Sequence, residues 1–275
     1  MQDLISNIEK KGDVYYPTSK TDTASISFPE IGHDILFEIE DSSFWFQHRN
    51  KCILSLVERF SPKELFVDIG GGNGFTSYFL KKHGIDSILI EPGEHGAFNA
   101  AKRGVDSVCA TIEELEFKPG ANKAIGLFDV IEHIDDDLSF MKEIHSILSD
   151  DGYLYITIPA HGFLWSEEDV QAGHFRRHTM KSIKKLLAGS GFEAIYASYF
   201  FQALILPILL LRSLPFKLGF RRDNTQENAE ADHNKEGLSM RIIKQLLSPE
   251  LRKIQEAKEL SYGASIILVA KKSAN

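Results

Sequence analysis

Short apolar runs recur along this chain, and most are followed by a stretch whose apolar positions have helical spacing. The runs at 65–69, 86–91, 104–109, 121–128 and 153–159 read as strands, being short, nearly uninterrupted and bounded by glycine, proline or an acid. Between them, 76–82, 93–102 and 136–148 read as helices. In the last of these Leu138, Met141, Ile144, Ile147 and Leu148 share one face. A helix at 179–187 and a sixth strand at 192–198 continue the alternation. A helix at 239–259 and a closing strand at 263–272 end it.

Outside this region the pattern changes. Residues 1–40 are the least patterned and read as irregular chain or short strands. From 34 to 60 the spacing is helical, with Asp41-Ser42-Ser43 as a cap before Phe44-Trp45-Phe46. At 199–211 lies an apolar run too short to span a bilayer and limited by Pro207 and Arg212. It suits a core helix, a dimer surface or an interfacial membrane helix. Basic residues interleaved through 214–222 tip this toward a membrane surface or a lipid-like acceptor, with a buried cap over the acceptor as the equal rival. The polar stretch 222–237 reads as an exposed, mobile linker.

Composition narrows the function class. The 275 residues suit one α/β domain with additions, and 43% hydrophobic and 25% charged content is ordinary for a soluble globular protein. A net charge of −8 argues against broad nucleic-acid binding, and no nucleic-acid partner is expected. Two cysteines, Cys52 and Cys109, are too few for a disulfide scaffold or a structural zinc site. No signal peptide is visible at the N-terminus, so a cytoplasmic location is expected, with peripheral membrane contact through 199–222 in view.

The first strand runs into Asp68-Ile69-Gly70-Gly71-Gly72-Asn73-Gly74, a turn that needs positive φ and close backbone approach. The dinucleotide fingerprint Gly-x-Gly-x-x-Gly fails here, because its third glycine falls on Phe75 or Ser77. The pattern that fits is Asp68-x-Gly70-x-Gly72-x-Gly74. An acid there disfavours a pyrophosphate and favours a ligand carrying an ammonium and a sulfonium. This stretch resembles motif I of the class I S-adenosylmethionine (SAM)-dependent methyltransferases, in particular a type-11-like bacterial group similar to ubiquinone-biosynthesis O-methyltransferases. The resemblance extends to Asp129-Val130-Ile131-Glu132-His133-Ile134 after the fourth strand and to the closing strand. It implies a Rossmann-like, doubly wound α/β sheet of seven strands with the last antiparallel, and a helical insertion between strands six and seven. The implied layout is an N-terminal extension and lid helix at 1–59, a SAM-binding core at 60–198, an insertion or cap at 199–262 and the closing strand at 263–275.

The resemblance also assigns roles. Asp68, Gly70, Gly72 and Gly74 would form the SAM turn. Glu91, about 20 residues further on, would take the ribose hydroxyls. Thr111 and Ile112 occupy the adenine positions; Thr111 replaces the usual acid, so the Ile112 N–H is the stronger candidate. The chain at Leu127-Phe128-Asp129 would pass the methionine end, with Phe128 as the contact. Arg49, in a Trp-Phe-x-x-Arg stretch, would hold the SAM carboxylate or else be a solvated surface residue. Glu132-His133 would cap the next helix, or form a metal site or a base; no metal is expected.

The stretch 161–179 follows the fifth strand, where an open α/β sheet carries its active site. A histidine there can take a proton from an acceptor hydroxyl near neutral pH, which makes His174 the first candidate base and His133 the second. Arg176 and Arg177 could hold an anionic group, or one of them could pair with Asp169 and pin the loop. The expected activity is SAM-dependent methylation of a small-molecule or lipid-linked acceptor, on oxygen in preference to nitrogen or carbon. A non-catalytic SAM-binding domain is the alternative. An oligomer remains open.

Overall fold

Nine strands join one sheet in the computed structural model, which describes residues 1, 3–19, 30–61, 63–118, 120–220 and 238–273. The linker expected at 222–237 lies outside them. Strands β1 (Ile8–Lys11) and β2 (Val14–Pro17) form an antiparallel hairpin around Gly12. The seven expected strands follow as β3 (Phe66–Ile69), β4 (Ser87–Ile90), β5 (Asp106–Val108), β6 (Asn122–Phe128), β7 (Leu148–Pro159), β8 (Phe192–Phe200) and β9 (Ser265–Lys272). Their order is β1-β2-β5-β4-β3-β6-β7-β9-β8. The expected seven-stranded sheet is therefore extended at one edge, because β2 pairs parallel with β5 through Val14–Ser107 and Tyr15–Val108. The hairpin escapes a pattern search because three of the four β1 side chains point to water.

Strands β3, β4, β5, β6 and β7 are parallel, and β9 runs antiparallel between β7 and β8. From β3 the chain winds outward to β5, then crosses back to place β6 on the other side of β3. The crevice at the strand C-termini opens where the winding reverses, between β3 and β6. That is where the glycine turn after β3 and the loop after β6 meet.

Helices cover both faces: α1 (Glu30–Ile39), α2 (Phe44–Phe60), α3 (Phe75–Lys82), α4 (Glu94–Lys102), α5 (Asp137–Ile147), α6 (Glu167–Gln171) and α7 (Met180–Gly189). The helical spacing at 34–60 resolves into two helices, broken where the Ser42 hydroxyl donates to the Ile39 carbonyl. On one face, α2 buries Cys52, Ile53, Leu56 and Val57 at helical spacing against Phe66, Ala124 and Tyr155. The helix Leu238–Gln255 packs on the same side through Leu247 and Ile254. On the other face, Met141 and Ile144 of α5 and Ile183 and Leu187 of α7 meet Ile125, Leu154 and Ile156. Successive residues of β7 alternate between the two cores, as a central strand requires.

Gly74 places the glycine turn against α4. Its φ is +70°, and a Cβ there would lie 2.6 Å from the Ala100 Cβ. Alanine at this site meets both a left-handed backbone penalty and an overpacked contact, together about 2–4 kcal/mol. Gly74→Ala is expected to lower the denaturant midpoint accordingly; an unchanged midpoint would remove the packing role.

Candidate active site

The turn after β3 forms one wall of a cavity of about 690 Å³. Gly70, Gly71 and Gly72 line it, with φ of +68° at Gly70 and +56° at Gly72. Asp68 does not line it. Its carboxylate is fully buried beneath the turn, where a Cβ on Gly71 would strike it, and accepts from the Ser77 hydroxyl at 2.9 Å. Ser77 in turn accepts from Ser87 at 2.9 Å. Burial raises the Asp68 carboxyl to about 6, against which the Ser77 hydrogen bond pulls. The acid of the motif thus supports the loop from below rather than meeting a ligand. Gly74, the packing contact described above, is likewise absent from the cavity wall.

Glu91, just past the end of β4, faces the cavity and stitches two loops together. Its carboxylate accepts from Gly72 N–H and from Gly93 N–H, each at 2.8 Å. From above, α1 closes onto the same turn. The Asn73 side chain donates to the His33 carbonyl at 2.8 Å and to Glu40 at 3.2 Å. Glu40 also accepts from Arg103 at 3.1 Å; burial nevertheless lifts its carboxyl to about 7. His33 and Glu40 both line the cavity.

Further along the wall, Thr111 and Ile112 stand side by side. The Thr111 N–H donates to the Glu114 carboxylate at 3.0 Å in a capping box, and Ile112 opens the 3-10 turn that follows. The first N–H groups of such a turn have no partner within it. Phe128, stacked on Phe66 at 5.9 Å between ring centres, ends β6 and also lines the cavity. Asp129 after it adopts a left-handed backbone, φ +58°, uncommon for a residue other than glycine and a conformation that clusters at functional sites.

Arg49 is not a solvated surface residue. It is 7% exposed, lies against the Trp45 and Phe46 rings, pairs with Asp129 and donates to the Thr76 hydroxyl at 3.1 Å. Its Nε is buried with no hydrogen-bond partner. Trp45, which stacks on Phe201, and the buried Phe46 both line the cavity beside it.

At the far end His133 and His174 meet edge to face, 4.6 Å between centres, and both line the cavity. His174 Nδ1 lies 2.9 Å from Asp169. Asp169 is also gripped by the Arg177 Nε and Nη2 at 2.7 and 2.9 Å. Burial pushes Asp169 up, but the bonds from His174 and Arg177 and the guanidinium charge outweigh it and hold the carboxyl at about 2. Burial, and then the charge of His174, lower His133 to about 3, so it stays neutral and is a weak base. Beside them Glu132 is fully buried with neither oxygen hydrogen-bonded; burial and the Asp129 charge keep it well above the carboxylate range. Ligand-capable atoms of Glu132, His133 and His174 lie within 4.8 Å of one another. Neither arginine of the loop faces the cavity. Arg177 pins Asp169, while Arg176 pairs with Asp137 at 2.7 Å and donates to the Ile134 and Asp135 carbonyls.

A methyltransferase-domain family profile matches residues 45–197, more than half of the chain. The chain belongs to this methyltransferase family. The methyltransferase is 30% identical to a ubiquinone biosynthesis O-methyltransferase of Parvibaculum lavamentivorans over 36% of this chain and 43% of that protein. It thus matches less than half the length of that relative. A SAM-dependent methyltransferase of Thermotoga maritima superposes with a TM-score of 0.54 at 20% identity, covering 88% of this chain and 96% of the other. Phosphoethanolamine N-methyltransferase 2 of Haemonchus contortus, solved with SAM, superposes with a TM-score of 0.55 at 18% identity over 94% of this chain and 62% of that one. The family match gives residues 45–197 as a methyltransferase domain, and the two solved structures show the shared fold.

In this methyltransferase the fold brings nine of the eleven expected site residues to one cavity: Arg49, Gly70, Gly72, Glu91, Thr111, Ile112, Phe128, His133 and His174. Asp68 and Gly74 stand behind the wall. The motifs did not single out His33, Glu40 and Asn73, which also line the cavity, as does Asp129 of the 127–129 stretch. Asn73 lay in plain view between two glycines of the motif. His33 and Glu40 carried no local signal.

The Ser77 hydrogen bond and the Arg49 charge only partly offset the burial of Asp68, so its titration is visible in stability. A carboxyl raised from about 4 to about 6 contributes stability below the unfolded value, and that contribution is lost as pH rises through 6. Relative to the wild type without cofactor, Asp68→Asn is expected to gain about 3 kcal/mol between pH 4 and pH 7. Parallel melting curves of the two proteins across that range check this; curves with no pH-dependent gap would contradict it.

Proposed function

We propose that the cavity holds SAM along the glycine turn and that His174 deprotonates the hydroxyl of a small acceptor at its far end. Gly70 and Gly72 leave room for close approach of a ligand to the backbone. Glu91 suits ribose hydroxyls, since a carboxylate accepts on about four sites. The buried Nε and forked guanidinium of Arg49 suit the methionine carboxylate. Asp129 provides a negative group and Glu40 carboxyl oxygens that can accept hydrogen bonds near the turn for the ammonium, and the Ile112 N–H suits adenine. SAM supplies an electrophilic methyl group on a sulfonium.

What the chain itself contributes to the transfer is alignment and a proton acceptor. The observation that carries this reading is the Asp169–His174 pair. Asp169 stays ionised, so the proton of the His174 imidazole sits on Nδ1 and Nε2 presents its lone pair. Arg177 holds Asp169 in place through a two-pronged contact and thereby fixes the imidazole. An oxygen acceptor benefits from such a base; an amine that is already neutral does not need one. The O-methyltransferase relative is consistent with this preference, and O-methylation of a small hydroxylated molecule is the reading adopted.

The cluster of Glu132, His133 and His174 favours a second reading, in which a divalent cation lowers the pKa of the acceptor hydroxyl. One experiment separates the two. Methyl transfer from SAM is measured over a panel of hydroxylated and amine acceptors, with and without a chelator. The base reading expects His174→Ala to lower kcat about 10²-fold with SAM affinity unchanged, and chelator to have no effect. Full turnover in His174→Ala contradicts it. Loss on chelation, restored by added cation, selects the second reading.

A further inference from the structure

The segment after β8 is helical and apolar all round. Three short turns, Ile205–Ile208, Leu209–Ser213 and Leu214–Lys217, follow one another without a break. One side packs inward: Ile205, Ile208 and Leu209 rest on the core around α2 and β9, and Ser213 is fully buried with its hydroxyl donating to the Leu164 carbonyl at 2.7 Å. The opposite side is apolar as well. Leu206, Leu210, Leu211, Leu214, Leu218 and Phe220 are all exposed, Leu206 at 65% and Phe220 at 68%. A surface helix ordinarily turns polar residues outward, and an outward apolar ridge of this kind marks a contact surface.

We infer that this ridge docks on an anionic lipid surface. The charge around it selects that partner. From 199 to 220 the chain carries Arg212 and Lys217 and no acid, and the sequence continues into Arg221-Arg222. The protein as a whole has a net charge of −8, so this stretch is more basic than the chain average. Lys217 donates to the Phe163 carbonyl at 2.9 Å and forms no ion pair among the described residues. Arg212 lies 3.4 Å from Glu168, which anchors the ridge to α6. An apolar stripe edged by cations suits the headgroup–acyl boundary of an acidic bilayer. No helix among the described residues is long and apolar enough to cross a membrane, so contact is in the interfacial plane. The sequence that follows the ridge, 221–237, contains no large apolar residue with which to cover it. The ridge rests on Phe163, Leu164 and Glu168, in the same loop that supplies Asp169, and so lies next to the acceptor end of the site. The surface is argued from its own chemistry and holds for any acceptor.

Flotation of the full chain with phosphatidylcholine vesicles, with and without an equal share of phosphatidylglycerol, tests the inference. Wild type is expected to float with the acidic vesicles and to remain below with the neutral ones. Leu210→Asp combined with Leu214→Asp, both on the outer side, is expected to reduce the floated fraction at least five-fold while the melting temperature is kept. Leu218→Glu, at the open end of the ridge, serves if the double variant fails to fold. Wild type that stays below with acidic vesicles overturns the inference, as do equal flotation on both vesicle types and a folded variant that floats like wild type. A wild-type dimer that these substitutions split, with no flotation, assigns the ridge to a second copy instead.

Discussion

Glu91 is buried at the point where three backbone segments must close on one another. Its two oxygens take the N–H of Gly72 and the N–H of Gly93, so one carboxylate fixes both the glycine turn after β3 and the turn after β4. The space around it is tight. A Cβ on Gly96 would come within 2.9 Å of Glu91 Cγ and 3.0 Å of the Gly72 carbonyl, so α4 reaches the turn only through glycine. The curve of the cavity wall depends on this junction. It orients the backbone of Gly70–Gly72, and Asn73 at its crest then receives α1 through His33 and Glu40. Loss of the carboxylate would leave two buried N–H groups unsatisfied, each costing about 1–3 kcal/mol, at the place where the ligand wall is made.

The acceptor end is built on a different principle. Here the ionisable groups are driven apart by environment. Asp169 is held ionised by Arg177 and His174, His133 is held neutral, and burial with the neighbouring acids pushes Glu132 well above the carboxylate range. A carboxylate that is fully hydrogen-bonded can stay charged in a buried place, whereas one without donors is driven toward its neutral form. His174, anchored to Asp169 through Nδ1, faces the cavity. The two halves meet through Arg49, whose partner Asp129 leads into the segment carrying Glu132 and His133.

Much of the donor side was legible in the sequence because its signals are local. The strand, the spaced glycines and the acid at the next strand end lie within about 25 residues and obey the short-range rules of the doubly wound fold. Motif membership did not reveal which way each side chain points. Asp68 and Gly74 match the pattern as well as Gly70 and Gly72 do, yet one supports the turn from beneath and the other lets α4 approach. Contacts across long separations were illegible for a related reason. Glu40 reaches Asn73 and Arg103 across separations of 33 and 63 residues, and the β1–β2 hairpin shows water a polar face. In the loop after β7 the sequence pointed to an Asp169–arginine pair, and it forms with Arg177. That the same carboxylate would also orient His174 needed the fold. The apolar run after β8 was legible as an anomaly, but only the structure divides it into Leu209 facing in and Leu210 facing out.

In the proposed reading this junction and Arg49 make the SAM site. Calorimetric titration of SAM into wild type, Glu91→Gln and Arg49→Ala tests this. Saturable one-site binding to wild type is expected, with an affinity at least ten-fold lower in each variant and both variants shown to be folded by melting. Wild-type affinity in either folded variant, or no binding to wild type, would contradict it.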